Sequence, residues 1–330
     1  MTKALILAGG LGTRLRPLTY TRPKHLLPIA NRPHISHVLD LLERYGIDEV
    51  VLLTSYLAEA FAPTRSEAEA RGMTVHVTHE KVPLGTAGAL KNAQSVVGDE
   101  TFLAFNGDVL TDCDLGEVLR FHRDRGAVGT ILLTPVEDPS IYGVVTTDSN
   151  GEVTGFVEKP PRDEAPTNEI NAGVYVFEPE ILARIPEGIV SSSERELFPD
   201  LVANQAGLYA LTTAAYWMDI GTPEKYLSAN LDALAGRFKT PATASMDGRG
   251  ALVADDAEVA ATAEVSSSCI GSKSRVSERS LVRDSVLLPG SIVEEGARVV
   301  GSVLGEGVRV AAGTELSGET IADGSEVGGT

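Results

Sequence analysis

From Val253 onward the chain sets an aliphatic residue at steps of six, six and five. The series runs Val253, Val259 and Val265, then Ile270, Val276 and Val282, then Leu287, Val293 and Val299. It continues through Leu304, Val310 and Leu316 to Ile321 and Val327, and all 14 positions are Ile, Leu or Val. Glycines recur at matching places between them, as Gly290, Gly307 and Gly324 and again as Gly296 and Gly313. Three short strands per turn, each sending one small aliphatic side chain inward, satisfy a seventeen-residue period. Residues 251–330 are therefore expected to form a triangular parallel β-helix of about four and a half coils.

Ahead of the repeat the pattern changes. Ala4–Leu7, Val50–Thr54, Val75–Thr78 and Phe102–Phe105 read as buried strands, and His34–Tyr45 and Ala87–Val96 as intervening helices. Such alternation implies a mostly parallel sheet covered on both faces. Residues 237–250, RFKTPATASMDGRG, are polar and turn-rich and read as a linker, which makes 1–236 one α/β domain.

The charge balance narrows the partners. A net charge of −18 opposes binding to nucleic acid or to an anionic membrane, both of which require basic patches. There is no run of eighteen apolar residues and no basic region leading into an apolar run with a cleavage site, so neither a membrane span nor secretion is expected, and Cys113 and Cys269 lack metal-ligand spacing. A cytoplasmic protein without structural zinc is expected.

The first strand runs into LILAGGLGTRLRPLTYTRPK, Leu5 to Lys24. A dinucleotide fingerprint needs a third glycine three residues after Gly12, where Leu15 stands, and a P-loop needs Gly-Lys-Ser/Thr, which is absent. What remains is a glycine loop with Arg14, Arg16 and Lys24, three cations that suit a triphosphate or pyrophosphate.

This stretch resembles the signature of the sugar-1-phosphate nucleotidylyltransferases. The resemblance continues in order through VPLGTAGAL, FNGDV, YGVV, FVEKP, INAGVYVF and WMDIGTP, covering roughly residues 3–230. Those blocks and SSSERELFP are most similar to the mannose-1-phosphate guanylyltransferase branch, from which His25 departs where proline is frequent. The resemblance implies a Rossmann-like, GT-A-like mixed-sheet domain, and the C-terminal repeat resembles a left-handed hexapeptide-repeat β-helix. The implied reaction is attack of a sugar 1-phosphate oxygen on the α-phosphorus of a nucleoside triphosphate, releasing pyrophosphate. The nucleophile is already an anion, so catalysis is alignment and charge neutralisation.

By the same resemblance Asp108 and Asp219 hold Mg²⁺, Arg14 clamps the β- and γ-phosphates, Lys24 touches the α-phosphate and sugar phosphate, and Lys159 binds the sugar phosphate. Leu7, Ala8, Gly9, Gly10, Gly12, Thr13, Pro83, Gly85 and Thr86 match nucleotide-binding positions. Asn106, Gly143, Glu158, Asn171 and Gly173 match positions at the sugar. Thymidylyl- and uridylyl-transferring relatives commonly carry glutamine five residues before the glycine of the P-L-G block, where this chain has Glu80. An ionised carboxylate only accepts hydrogen bonds, which fits the N1–H and N2–H₂ of guanine better than a pyrimidine edge.

GTP and α-D-mannose 1-phosphate are thus the expected substrates. Guanylyl transfer to a cyclitol phosphate such as valienol 1-phosphate, or thymidylyl or uridylyl transfer to glucose 1-phosphate, keeps the same motifs. A catalytically silent, nucleotide-sugar-sensing subunit is disfavoured because Arg14, Lys24, Asp108, Lys159 and Asp219 are all present. An acyltransferase role for the β-helix is disfavoured too, since all six histidines precede the linker. The β-helix is read as a structural or oligomerising element of a homo-oligomer, dimeric or higher.

Overall fold

The computed structural model describes residues 2–55, 57–80 and 82–329. Its contacts divide the chain into two compact units, Met1–Gly10 with Leu39–Trp217, and Leu11–Val38 with Met218–Thr330.

The first unit is built on a nine-stranded mixed sheet. Its strands are β1 (Lys3–Leu7), β2 (Glu49–Thr54), β3 (Thr74–His79), β4 (Phe102–Asn106), β5 (Gly129–Pro135), β6 (Gly143–Thr147), β7 (Val153–Glu158), β8 (Glu169–Phe177) and β9 (Leu208–Thr212). They lie in the order β7-β6-β8-β4-β1-β2-β3, with β5 beside β8 and β9 beside β5. The four expected strands are β1 to β4, each slightly longer than the apolar run that announced it. They pair in parallel with Ala4 opposite Val50, Val50 opposite Val75 and Lys3 opposite Phe102. Parallel strands covered on both faces need continuous apolar sequence. Ala4, Leu5 and Ile6 accordingly have no exposed surface. Aromatic side chains fill the core beyond β4, where the Tyr175 and Phe177 rings stack 5.4 Å apart and Phe198 packs against both.

The expected Ala87–Val96 helix is divided. One helix spans Gly85–Asn92, Ala93 leaves helical geometry at φ −90° and ψ 2°, and a single turn follows at Gln94–Val97. The Ala93 N–H donates to the Leu90 carbonyl three residues back, which tightens the end of the first helix. The other expected helix runs His34–Arg44.

In the second unit the repeat folds as the spacing requires. Fourteen short strands, from Leu252–Val253 to Glu326–Val327, carry the fourteen aliphatic positions and stack in three parallel sheets of five, five and four strands. Register advances by one coil, with Val253 opposite Ile270, Val276 opposite Val293 and Val299 opposite Leu316. This is a left-handed parallel β-helix of the hexapeptide class.

Its corners explain the glycine spacing. Gly250, Ser267, Asp284, Gly301 and Gly318 form one column of left-handed residues, and Lys273, Gly290, Gly307 and Gly324 form another. Glycine takes that conformation without a Cβ penalty, and polar residues take it at some cost. A buried column of serines adds a second ladder. The amides of Ser285, Ser302 and Glu319 each donate to the hydroxyl one coil back, on Ser268, Ser285 and Ser302, at 3.1 Å.

Residues 237–250 belong to this unit and meet His37 through Phe238 and Thr240. Phe238 is 4% exposed and meets the His37 ring edge-on at 5.5 Å, while Thr240 Oγ1 lies 3.1 Å from His37 Nδ1. One aromatic in an otherwise polar stretch thus ties it down. The Leu11–Val38 segment is held in the same unit by the Pro223–Leu234 helix, with the Tyr226 hydroxyl donating to the Pro28 carbonyl at 2.7 Å. Asn230, fully buried, accepts from the Ala30 N–H at 2.9 Å through Oδ1. Among the described residues no helix is long and apolar enough to cross a membrane.

Candidate functional site

The residues singled out by sequence divide between the two units. In the first, Leu7, Ala8, Gly9 and Gly10 continue from the carboxyl end of β1, and Asn106 and Asp108 lie at the carboxyl end of the adjacent parallel strand β4. Leu7 and Asn106 are register partners, and the Gly107 N–H donates to the Leu7 carbonyl at 3.1 Å. The carboxyl edge of a parallel sheet is where α/β proteins present ligands to the strand ends. Ser55, just past β2, donates to the Gly9 carbonyl at 2.6 Å and so anchors the start of the glycine loop.

Glu80 follows β3 and is 7% exposed. Its Oε2 accepts from the Leu84 N–H at 3.2 Å, while the buried Oε1 has no hydrogen-bond partner among the described residues. Burial pushes this carboxyl above the usual carboxylate range, and the Leu84 amide opposes the shift. A buried acceptor left unmatched costs free energy unless a ligand donates to it.

Pro83, Gly85 and Thr86 lie on the turn into the Gly85–Asn92 helix, and the SSSERELFP block forms their seat. A Cβ on Gly85, where φ is +78°, would come within 2.5 Å of the Ser191 carbonyl oxygen. The Ala87 and Gly88 amides also donate to that carbonyl. Thr86 Oγ1 donates to Glu194 Oε2 at 2.8 Å and accepts from the Ser193 N–H at 2.7 Å. The Thr86 hydroxyl is therefore engaged inside the protein, and what it offers a nucleotide is backbone.

The positions matched to the sugar form two groups. Gly173 approaches Asn106 so closely that a Cβ would lie 2.9 Å from the Asn106 side chain. Asn171 Nδ2 donates to the Tyr175 hydroxyl at 2.8 Å, and Asn171 Oδ1 accepts from the Gly173 N–H at 3.0 Å. The buried Asn106 Oδ1 has no hydrogen-bond partner among the described residues. In the second group Gly143 and Glu158 are cross-strand partners on β6 and β7, and Glu158 pairs with Lys159 Nζ at 3.1 Å. Lys159 holds the left-handed conformation at φ 52°, with its N–H donating to the Tyr142 carbonyl at 2.9 Å. A non-glycine residue at positive φ is costly and concentrates where geometry serves function.

In the second unit Gly12 opens a 3₁₀ turn at Thr13–Leu15 and itself adopts φ 61°. The Thr19 hydroxyl donates to the Gly12 carbonyl at 2.8 Å, and a Cβ on Gly12 would meet the Lys24 Cβ at 3.2 Å. This folds the loop so that the start of the Arg14 turn touches the base of Lys24. A Cβ on Gly221 would lie 3.0 Å from Arg14 Nη2 and 3.1 Å from Asp219 Oδ2, so the guanidinium and the carboxylate converge on one glycine.

Sequence reasoning missed Lys225, whose ammonium pairs with Asp219 Oδ1. Thr222 starts the Pro223–Leu234 helix, and Lys225 lies in its first turn. The signal was a lysine six residues after the aspartate across a Thr-Pro helix start. It missed Glu194 as well, which lay in a block noted only for its likeness.

Residues 3–236 match the family model described as nucleotidyl transferase, and residues 241–327 match the GlmU-like, C-terminal hexapeptide model. A mannose-1-phosphate guanylyltransferase of Mycobacterium tuberculosis is 38% identical over 295 residues, covering 89% of this chain and 81% of that protein. The mannose-1-phosphate guanylyltransferase catalytic subunit beta of Drosophila pseudoobscura is 45% identical over 230 residues, 69% of this chain. The match spans 61% of that subunit's length. Among solved structures, HddC from Yersinia pseudotuberculosis complexed with GMP-PN is 31% identical, with a TM-score of 0.60 over 70% of this chain and 98% of that one.

Proposed function

The chain belongs to the nucleotidyl transferase family, and from that premise we propose that it transfers a guanylyl group from GTP to α-D-mannose 1-phosphate, releasing pyrophosphate. The observation that carries the nucleotide choice is Glu80. Its one committed oxygen and one unmatched, buried oxygen suit the adjacent N1–H and N2–H₂ donors of guanine. The mannose assignment follows the names of the relatives.

The division of labour follows from charge. The incoming sugar phosphate and the triphosphate are both anions, so the protein's task is to hold them together and to accept charge on the leaving pyrophosphate. Arg14 presents a planar fork to the β- and γ-phosphates, and Lys24 supplies a point charge to the phosphoryl group under attack. Lys159 holds the sugar phosphate, with Glu158, Asn171, Asn106 and the backbone at Gly143 and Gly173 contacting hydroxyls. Loop amides from Leu7 to Thr13 face the triphosphate.

The family works with a divalent metal. Asp108 and Asp219 would hold Mg²⁺ here, and the donor set fits that ion. Both carboxylates are hard oxygen ligands, the kind that Mg²⁺ takes. An ion that keeps waters and substrate phosphates in its shell matches such a site. When bound, it would polarise the phosphoryl oxygens and neutralise developing charge. Lys225 balances the Asp219 carboxylate from the protein side.

We assign residues 1–236 to the catalytic domain, 237–250 to a linker and 251–330 to a β-helix that contributes to a cytoplasmic homo-oligomer. A matrix of five nucleoside triphosphates against mannose, glucose and cyclitol phosphates, scored by pyrophosphate release with Mg²⁺, tests the reading. GTP with mannose 1-phosphate is expected to turn over fastest. Preference for dTTP or UTP sinks the Glu80 assignment, and preference for a cyclitol phosphate sinks the mannose assignment alone. No turnover with any pair favours the nucleotide-sugar-sensing subunit.

A further inference from the structure

The segment that carries Arg14 and Lys24 is fastened to the β-helix near both ends of the solenoid. At the last coils Arg22 Nη2 lies 2.6 Å from Asp323 Oδ2 and 2.8 Å from Glu306 Oε2. The Thr21 hydroxyl donates to the same Asp323 oxygen. At the first coils Asn31 Nδ2 donates to the carbonyls of Leu252 at 3.2 Å and Ile270 at 2.9 Å. Residues 21–31 thus run along one face of the β-helix, from its last coils to its first.

The seventeen-residue period explains why this anchor can exist. Glu306 and Asp323 are one coil apart in the series Asp255, Ser272, Pro289, Glu306 and Asp323, so they stack at the same corner of consecutive coils. Two carboxylates one strand spacing apart repel, and a single guanidinium shared between them removes that repulsion. The backbone sets the acidic pair, since Asp323 Oδ1 accepts from the Glu306 N–H at 2.8 Å. The Arg22 and Asp323 side chains are each 16% exposed, which shields their pairing from salt.

The route from this anchor to the phosphate loop is short. Pro23 alone separates Arg22 from Lys24, with its φ at −59°, so a shift of Arg22 passes to Lys24 through a rigid residue. Lys24 in turn abuts Gly12, which opens the turn carrying Arg14.

We propose that the terminal coils of the β-helix are part of the nucleotidyl-transfer machinery. Arg22 is a positioning residue, held by Glu306 and Asp323, that keeps Arg14 and Lys24 at the spacing a polyphosphate requires. This rests on the assignment of Arg14 and Lys24 to the phosphates, and it goes beyond that assignment by giving the β-helix a catalytic consequence within one chain.

The test uses the full chain as R22A, D323N, R22A/D323N and R22K, beside the parent protein. Pyrophosphate binding is read by titration calorimetry, and steady-state kinetics use whichever nucleotide and sugar phosphate pair the parent turns over fastest. R22A and D323N are each expected to weaken pyrophosphate binding and raise KM for the nucleotide about tenfold, within the roughly hundredfold that a 1 Å misplacement can cost. The double variant should be no worse than R22A, because the Arg22–Asp323 pairing is already lost in either single variant. R22K should recover part of the loss. Parent-like affinity in R22A, or additive losses in the double variant, overturns the proposal; if R22A does not fold, the same readings on D323N decide. A wrong sugar or base assignment alters only the substrate matrix and leaves the pyrophosphate result intact. A parent protein that binds no pyrophosphate overturns both readings.

Discussion

The β-helix and the nine-stranded sheet bury comparable kinds of side chain by opposite rules. In the β-helix each ladder joins residues seventeen apart, as Val276 with Val293 and Leu287 with Leu304. In the sheet β1 pairs with residues near 50 on one side and near 102 on the other, and β8 pairs with β4, β5 and β6. One region is a stack of like neighbours, the other a network with no period. Damage in a stack should stay near its origin, while damage in a network should spread through the unit.

Four changes test that contrast, beginning with the largest expected effect. Phe177→Ala removes a fully buried ring that stacks on Tyr175 and should cost about 3–5 kcal/mol, read by denaturant unfolding. Amide exchange should then rise throughout the sheet. Leu304→Ala in the β-helix core should cost about 2–5 kcal/mol, with exchange rising in the adjacent coils and little elsewhere. Equal loss of protection in every coil would break the comparison.

Glu80→Gln separates function from stability. Its carboxyl is raised in the folded state, so its contribution to stability is present below the ordinary carboxylate range and is lost as pH rises through the folded value. The variant should therefore be more stable than the parent at neutral pH, an advantage that fades in acid. It should also lose about 1–3 kcal/mol of preference for GTP over dTTP, measured as the ratio of kcat/KM values. In the parent, GTP affinity should fall as pH drops through the raised value, because the neutral acid no longer accepts from both guanine donors. A variant with unchanged nucleotide preference would remove Glu80 from the base site. The smallest effect is expected from Arg309→Ala, whose partner Glu294 forms a half-exposed ion pair across the coil, worth about 0–1 kcal/mol by thermal unfolding.

Legibility followed the same contrast. The period alone located every strand of the β-helix and the glycines at its corners, because coil packing repeats one local rule. In the sheet the four parallel strands could be read from their apolar runs, but the strand order could not. Nor could the break at Ala93, where one-turn hydrogen bonding outcompetes the apolar pattern. At the candidate site, residue types and their place along the strands were readable. Asp108 does follow the end of β4, and Glu80 does keep a buried oxygen without a partner among the described residues. What each side chain leans on was not readable.

By itself the sequence determined the coil length, the apolar strands, the charge of the glycine loop and a carboxyl at position 80. These depend on residue type and on spacing along the chain. Tertiary structure alone decided that Thr86 gives its hydroxyl to Glu194, that Lys225 faces Asp219, and that Arg22 rests on Glu306 and Asp323. Two of those three pairings join residues more than a hundred positions apart, and the third turns on how a helix begins. No local propensity encodes such pairings, since their energy exists only once the chain has folded and brought the charges within reach.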